Sequence, residues 1–177
     1  MKFGDFVKVK SLASPAGFKD NLKRLGLDMP CDDTLESGPS AVMAQPLRIG
    51  PYTVGNRYAV HPMEGWDGHA DGSPSEHTER RWRHFGLSGA KMIWGGEAVA
   101  VRHDGRANPR QLVINETNLS ALGGLRQTLV AAHKESMGSD QGLLVGLQLT
   151  HSGRFCKPND DARMEPRVLY HLSLIHI

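Results

Sequence analysis

The chain has 177 residues, of which 39% are hydrophobic and 6% aromatic, and its 21 basic and 19 acidic side chains leave a formal net charge of +2. That length fits one domain. The near-neutral balance gives no electrostatic case for a nucleic-acid partner, and no apolar run approaches the roughly 18 residues that span a bilayer. A mean hydropathy of −0.39 reads as a soluble composition. The opening MKFGDFVKVKSLASPAGF carries charges but no apolar core of a secretory signal. Cys31 and Cys156 are far apart and form no CxxC, so they read as free thiols in a reducing cytoplasm.

Residues 1–45 are weakly periodic and punctuated by Pro15, Gly17, Pro30, Gly38 and Pro39. They read as an N-terminal arm with one short helix around Lys19 to Leu25. Leu47-Arg48-Ile49, Gly50-Pro51 and Tyr52-Thr53-Val54 make a strand–turn–strand signal. Arg57 to His61 reads as a short buried strand stopped by Pro62, which has no N–H to give a ladder. Met63 to Gly68 then forms a loop containing two glycines. Such a strand end is either an ordinary turn beside the core or the rim of an active site.

Ser73-Pro74-Ser75-Glu76 reads as a helix start, with Ser73 at the N-cap, Pro74 at the first helical position and Glu76 closing a capping box. The helix is expected to run to about Leu87, with Thr78, Trp82 and Phe85 turned inward. Arg80, Arg81 and Arg83 read as a solvated face. Ala90 to Gly95 opens a second buried strand that continues through Gly96 to Val101, followed by a loop from His103 to Pro109. A helix from Asn118 to Met137 follows, with Leu122, Leu125, Leu129 and Ala132 on one stripe and Gly138 at its C-terminal cap. Gly142 to Leu149 is a third strand, apolar on both faces as a covered parallel strand is. Strand–helix–strand–helix–strand order predicts two successive βαβ units and a parallel sheet.

Glu64, Glu97 and Gln148 lie at or near the C-terminal ends of these strands, the catalytic face of a β/α barrel. Gln148 between Leu147 and Leu149 is either a satisfied core amide or one that reads the edge of a planar ligand, since it offers both donor and acceptor. Glu97 is a buried structural carboxylate or a ligand contact. Asp67 with His69 could form an acid/base pair. His61, His69, His77 and His84 lack the spacing of HExxH, and no metal site is expected. GxSxG, Walker A and GxGxxG are absent.

Three segments together resemble the old yellow enzyme family of FMN-dependent NAD(P)H:flavin oxidoreductases. NRYAVHPMEGWDG, from Asn56, resembles that family's first strand, with Asn-Arg and Pro-Met. GGEAVAVRHDGR, Gly95 to Arg106, is similar to its second strand, and LQLTHSGR, Leu147 to Arg154, to its Gln-Leu-x-His-x-Gly-Arg. The hairpin from Leu47 to Val54 matches the segment that closes the bottom of that barrel. The resemblance covers about Pro46 to Tyr170.

It implies an α/β chain that is the N-terminal portion of a (β/α)8 TIM barrel, truncated after about three βα units. Residues 1–45 would be an arm and 46–171 a partial FMN-binding barrel. Residues 172–177, LSLIHI, form a discordant tail that resembles translated adapter sequence. The resemblance also implies that Pro62 and Met63 lie along the flavin ring, that Ala98 lies near its polar edge, and that Gln148 bonds its pyrimidine part. Glu64 stands near the reactive side, where better-known members carry Cys or Thr. The catalytic residues are expected beyond the C-terminus.

The implied parent is a cytoplasmic enzyme, with a homo-oligomer of the full-length chain left open, that passes hydride from NAD(P)H through FMN to a small-molecule substrate with an activated alkene. It binds neither nucleic acid nor membrane. The isolated fragment is expected to be inactive. The alternatives are a non-catalytic flavin- or partner-binding fragment, or a barrel of unrelated chemistry.

Overall fold

The computed structural model describes residues 6–168. The described residues divide into two compact units, one up to Val42 and one from Met43 onward; the discordant tail expected at 172–177 lies outside the described residues. In the first, helix α1 spans Pro15–Leu25. The Ser14 side chain accepts from Gly17 N–H at its start, and Gly26 caps its end in the left-handed region. The helix therefore begins at Ser14-Pro15, earlier than the Lys19 expected, because the hydroxyl and the pre-set proline φ nucleate the first turn.

The second unit opens with an antiparallel hairpin, β1 (Leu47–Ile49) and β2 (Tyr52–Val54), in the register Leu47↔Val54 and Ile49↔Tyr52. This is the expected strand–turn–strand. Three further strands form one parallel sheet in the order β3-β4-β5: β3 is Ala59–Val60, β4 Met92–Ala100 and β5 Leu144–Thr150. Helix α2 (Glu76–Leu87) connects β3 to β4, and α3 (Leu119–Met137) connects β4 to β5. Two βαβ crossovers with a parallel sheet are what the element order predicts.

Trp82 of α2, Ile93 and Val99 of β4, and Leu122, Leu125 and Leu129 of α3 form the buried core. Burying each such side chain contributes about 1.5–3 kcal/mol. The two helices touch at Gly86, where a methyl would lie 2.3 Å from the Leu129 carbonyl oxygen, so any larger side chain would force them apart.

Four expectations need correction. The first buried strand, read as Arg57 to His61, is only the pair Ala59–Val60, and Ala59 is exposed. It sits at the sheet edge among the described residues, with β4 as its one ladder partner and Pro62 ending the run.

The N-cap of α2 is Ser75, not Ser73. Its hydroxyl accepts from His77 and Thr78 N–H, Thr78 closes the capping box, and Glu76 becomes the first helical residue. Ser73 instead bonds Asp71, which takes its side chain away from the helix.

The third strand is shifted to Leu144–Thr150 and is only half-buried, so it is not covered on both faces by the described residues. Lastly, Arg81 is not on a solvated face but is partly buried in an ion-pair network, whereas Arg80 and Arg83 are exposed.

A bulge in β4 shapes the sheet at its C-terminal end. Trp94 faces Gly146, and the next register pair is Ala98 with Gln148, so β4 gains residues relative to β5 between them. Gly95 makes this possible. Its φ is +58°, and a side chain there would meet the Gln148 nitrogen at 2.6 Å and the Pro62 Cβ at 3.0 Å. Beyond the bulge, the segment from Leu112 to Ile114 pairs with the end of β4, with Ala100 N–H bonding the Leu112 carbonyl and Ile114 N–H the Ala100 carbonyl, each at 2.9 Å.

Candidate functional site

The C-terminal ends of β3, β4 and β5 bring together the residues singled out from sequence. Pro62, Met63 and Glu64 follow β3 directly, Ala98 lies in β4, and Gln148 is its register partner in β5. Gly95 lies between Pro62 and Gln148. Met63 is 74% exposed, so its side chain is available at the mouth. Ala98 is 4% exposed and can offer room rather than contact surface. Gln148 is exposed, which corrects its reading as a buried core amide, and its carboxamide makes no hydrogen bond among the described residues. Its orientation follows from the strand period, which turns it away from the face where Val145 and Leu147 meet the core.

The loop carrying Pro62 to Gly68 is clamped from below by charge. The Glu97 side chain, 1% exposed, accepts from Gly65 N–H at 2.8 Å. Arg81 Nη2 lies 2.6 Å from Glu97 Oε2, an ion-pair contact without hydrogen-bond alignment, and donates to Asp67 Oδ1 at 2.8 Å. Thr78 Oγ1 also donates to Asp67 Oδ1, at 2.8 Å, and the Ser75 hydroxyl donates to the Asp67 carbonyl.

Burial pushes the Glu97 carboxyl above its usual range, although the Gly65 N–H and Arg81 oppose the rise. Burial acts the same way on Asp67, but the bonds from Arg81 and Thr78 together outweigh it and hold that carboxyl low. Arg81 loses basicity to burial and regains more from its two carboxylates. Glu97 is therefore a structural group that fixes the loop. Asp67 is engaged by Arg81 and Thr78, so the acid/base pairing with His69 does not form.

Gln111, fully buried, is the hub that sequence reasoning missed. Its Oε1 accepts from Ala107 N–H at 2.6 Å. Its Nε2 lies 3.2 Å from Glu64 Oε1, 3.0 Å from the Ala98 carbonyl oxygen and 3.0 Å from Thr150 Oγ1. The other Glu64 oxygen accepts from Trp66 Nε1–H at 2.8 Å. Trp66 holds a φ of +51°, the one non-glycine residue in the left-handed region among those described. Below this layer, the buried Arg106 donates to the Ala70 carbonyl at 2.7 Å and to that of His69 at 3.4 Å.

Arg81 had a sequence signal. Residues 78, 81, 82 and 85 stand at i, i+3, i+4 and i+7, the spacing of one helix face. Gln111 had none beyond its place before an apolar run.

A separate groove of about 470 Å³ lies between the starts of α2 and α3, lined by Pro74, Ser75, Glu79, Gly124 and Thr128. None of the five cofactor candidates lines it. No group of three or more His, Cys, Asp or Glu side chains is gathered as a metal site among the described residues. Cys31 and Cys156 are free. No described helix is long and apolar enough to cross a membrane.

No protein-family model matches the chain, and no curated protein matches it. Solved structures do. A 2-naphthoyl-CoA reductase in complex with 2-naphthoyl-CoA matches over 66% of this chain and 16% of its own, with a TM-score of 0.56 and 18% identity. The old yellow enzyme homologue from Zymomonas mobilis matches over 63% of this chain and 28% of its own, with a TM-score of 0.50 and 25% identity. The old yellow enzyme from Trypanosoma cruzi matches over 65% and 28%, with a TM-score of 0.50 and 24% identity. The chain resembles the N-terminal part of an old yellow enzyme. It is a partial α/β barrel with an oxidoreductase-like fold. It spans between 16% and 28% of the length of these three structures.

Proposed function

We propose that the chain supplies the opening units of an FMN site in a reductase of the old yellow enzyme type. The observation that carries this reading is the meeting of Pro62, Ala98 and Gln148 around the Gly95 bulge, at the strand ends where barrels place chemistry. The residues fit a flavin. An unengaged carboxamide at Gln148 offers a donor and an acceptor to a heterocycle edge, and an exposed Met63 offers an apolar flank.

When bound, FMN supplies hydride transfer between NAD(P)H and an electron-poor C=C bond. Pro62 and Met63 flank the ring with backbone, and Ala98 leaves it room. Gln148 orients the pyrimidine edge, and Glu64 places a carboxylate at the reactive side. The Glu97–Arg81–Asp67 clamp holds the loop that carries Met63 and Glu64, so its position does not have to be organised on binding. The reductase activity and its activated-alkene substrate belong to the complete barrel in this reading. The 177-residue chain alone binds FMN weakly and does not turn over.

Titrating the chain with FMN and following flavin fluorescence tests the reading. Saturable binding that Gln148→Leu weakens about fivefold or more, the worth of one or two hydrogen bonds, is the expected result. No saturable binding, or equal affinity in the variant, would overturn it.

A further inference from the structure

Helix α3 carries two glycines that its own packing does not use. Gly123 and Gly124 sit inside the helix, where glycine is less favourable than alanine. Neither has a positive φ, and a Cβ added at either would meet nothing within 4 Å. Among the described residues they are alone in this. Every other glycine with such open space has a positive φ, as Gly26 and Gly138 do, and at the rest a Cβ would meet a neighbour, as at Gly86. The bare backbone at 123–124 is therefore open to something other than the described residues.

The groove of about 470 Å³ between the starts of α2 and α3 includes Gly124 in its lining. That volume lies within the range of small-ligand clefts. Pro74, Ala121 and Leu125 supply apolar lining, and Glu76 and Glu79 bring two carboxylates, while no lysine or arginine lines it. Glu76 and Glu79 stand at i and i+3 of α2, so they share a face. Thr128 of α3 donates to Glu79 Oε1 at 3.1 Å across the groove. Glu79 Oε2 and both Glu76 oxygens make no hydrogen bond or ion pair among the described residues, although Arg80 lies one turn beyond Glu76. Apolar lining, bare helix backbone and uncompensated negative charge thus meet in one concavity.

We infer that this groove docks a partner peptide segment through one arginine side chain. The stem of the arginine lies on Pro74, Ala121 and Leu125. Its planar guanidinium donates to Glu76 and to the open oxygen of Glu79, two acceptors that its fork spans and a lysine ammonium would not span as well. Gly123 and Gly124 let the backbone of the segment approach α3 more closely than a side chain there would allow. Charge selects this occupant, since an acidic segment would be repelled and a neutral one would leave both carboxylates uncompensated. The groove is apart from the five cofactor candidates, so the inference does not depend on the flavin reading.

Two capped tripeptides, Gly-Arg-Gly and Gly-citrulline-Gly, test it on the full chain. They share a stem and differ in the charge at its end. The readout is the amide resonances of Gly123 and Gly124 in a nitrogen–proton correlation spectrum. The arginine peptide should shift them saturably, with an affinity that falls as salt is added. The citrulline peptide should bind about fivefold more weakly, and Glu76→Gln should weaken the arginine peptide about threefold. Gly124→Ala separates docking from structure. It should raise the urea midpoint, because alanine is the better helix former and its methyl meets no neighbour. It should also weaken the arginine peptide at least about fivefold by occupying the groove.

Equal responses to the two peptides, or no response to either, would overturn the inference. A Gly124→Ala chain that binds the arginine peptide as tightly as the parent would overturn it too, since the bare backbone would then serve no occupant. A lowered urea midpoint in that variant would show the glycine to be held by packing within the chain, with the same consequence.

Discussion

Replacing Arg81 by Met keeps the bulk of the α2 side chain and removes the one cation shared by Asp67 and Glu97. Glu97 is 1% exposed and would be left as a buried carboxylate with only the Gly65 N–H against it. Breaking a buried pair from one side costs about 3–5 kcal/mol. Arg81 itself is partly exposed, which places the expectation near the lower end, at about 3 kcal/mol.

The loss should depend on pH. Glu97 already has a raised carboxyl in the folded chain, and losing its cation raises it further. A group whose folded value lies above its unfolded value stabilises below the unfolded value and loses that contribution as pH rises through the folded one. Asp67 has the opposite shift, so the stability it gains from Arg81 exists at neutral pH and fades in acid. The Asp67 contribution is still present at pH 5, above its unfolded value, so the Glu97 shift is what makes the variant weaker at pH 7.5 than at pH 5, relative to the parent.

Urea unfolding followed by tryptophan fluorescence, to which the buried Trp82 contributes, reads this directly. With a slope of about 1–3 kcal/mol per molar urea, the midpoint should fall by about 1–3 M at pH 7.5 and by clearly less at pH 5. Adding Glu97→Gln to Arg81→Met should recover part of the loss. Equal losses at both pH values, together with no recovery in the double variant, would show that the network does not carry the loop.

Gly95→Ala should cost at least about 2 kcal/mol, from a side chain held at φ +58° and from contact with the Gln148 nitrogen; a melting temperature unchanged within error would mean the bulge relaxes freely. His133 is buried with Nδ1 on the Gly86 carbonyl, and burial lowers its pKa more than that bond restores. The unfolded chain therefore takes up a proton near pH 6.5 that the folded chain refuses, so stability falls with acid. The drop in urea midpoint from pH 7.5 to 5.5 should be smaller in His133→Gln than in the parent, and an identical drop would count against this. Under the flavin reading, Glu64→Gln should raise the midpoint potential of bound FMN, because a carboxylate disfavours the added negative charge of reduction; a potential that falls would contradict the placement of Glu64.

The order of elements was legible because it rests on periodicity. Leu122, Leu125, Leu129 and Ala132 mark the buried stripe of α3, and the Gly-Pro turn marks the hairpin. Element ends were less legible, since Ser73 and Ser75 both offer a capping hydroxyl and only the tertiary bond of Ser75 to the Asp67 carbonyl selects between them. Gln148 looked buried because its neighbours are apolar, but what covers a strand is decided by segments distant in sequence. The five sequence candidates do gather at one end of the sheet. What holds them there was hidden, because Arg81 and Gln111 act through partners 14 and 47 residues away, Asp67 and Glu64 respectively.

The central claim is that a planar cofactor lies across the ends of β3, β4 and β5. Mapping backbone amide shifts of the full chain on addition of FMN tests it most directly. The account predicts that the largest changes fall on Met63, Glu64, Ala98 and Gln148. Changes confined to the groove between α2 and α3, or no change at the strand ends at saturating FMN, would contradict it.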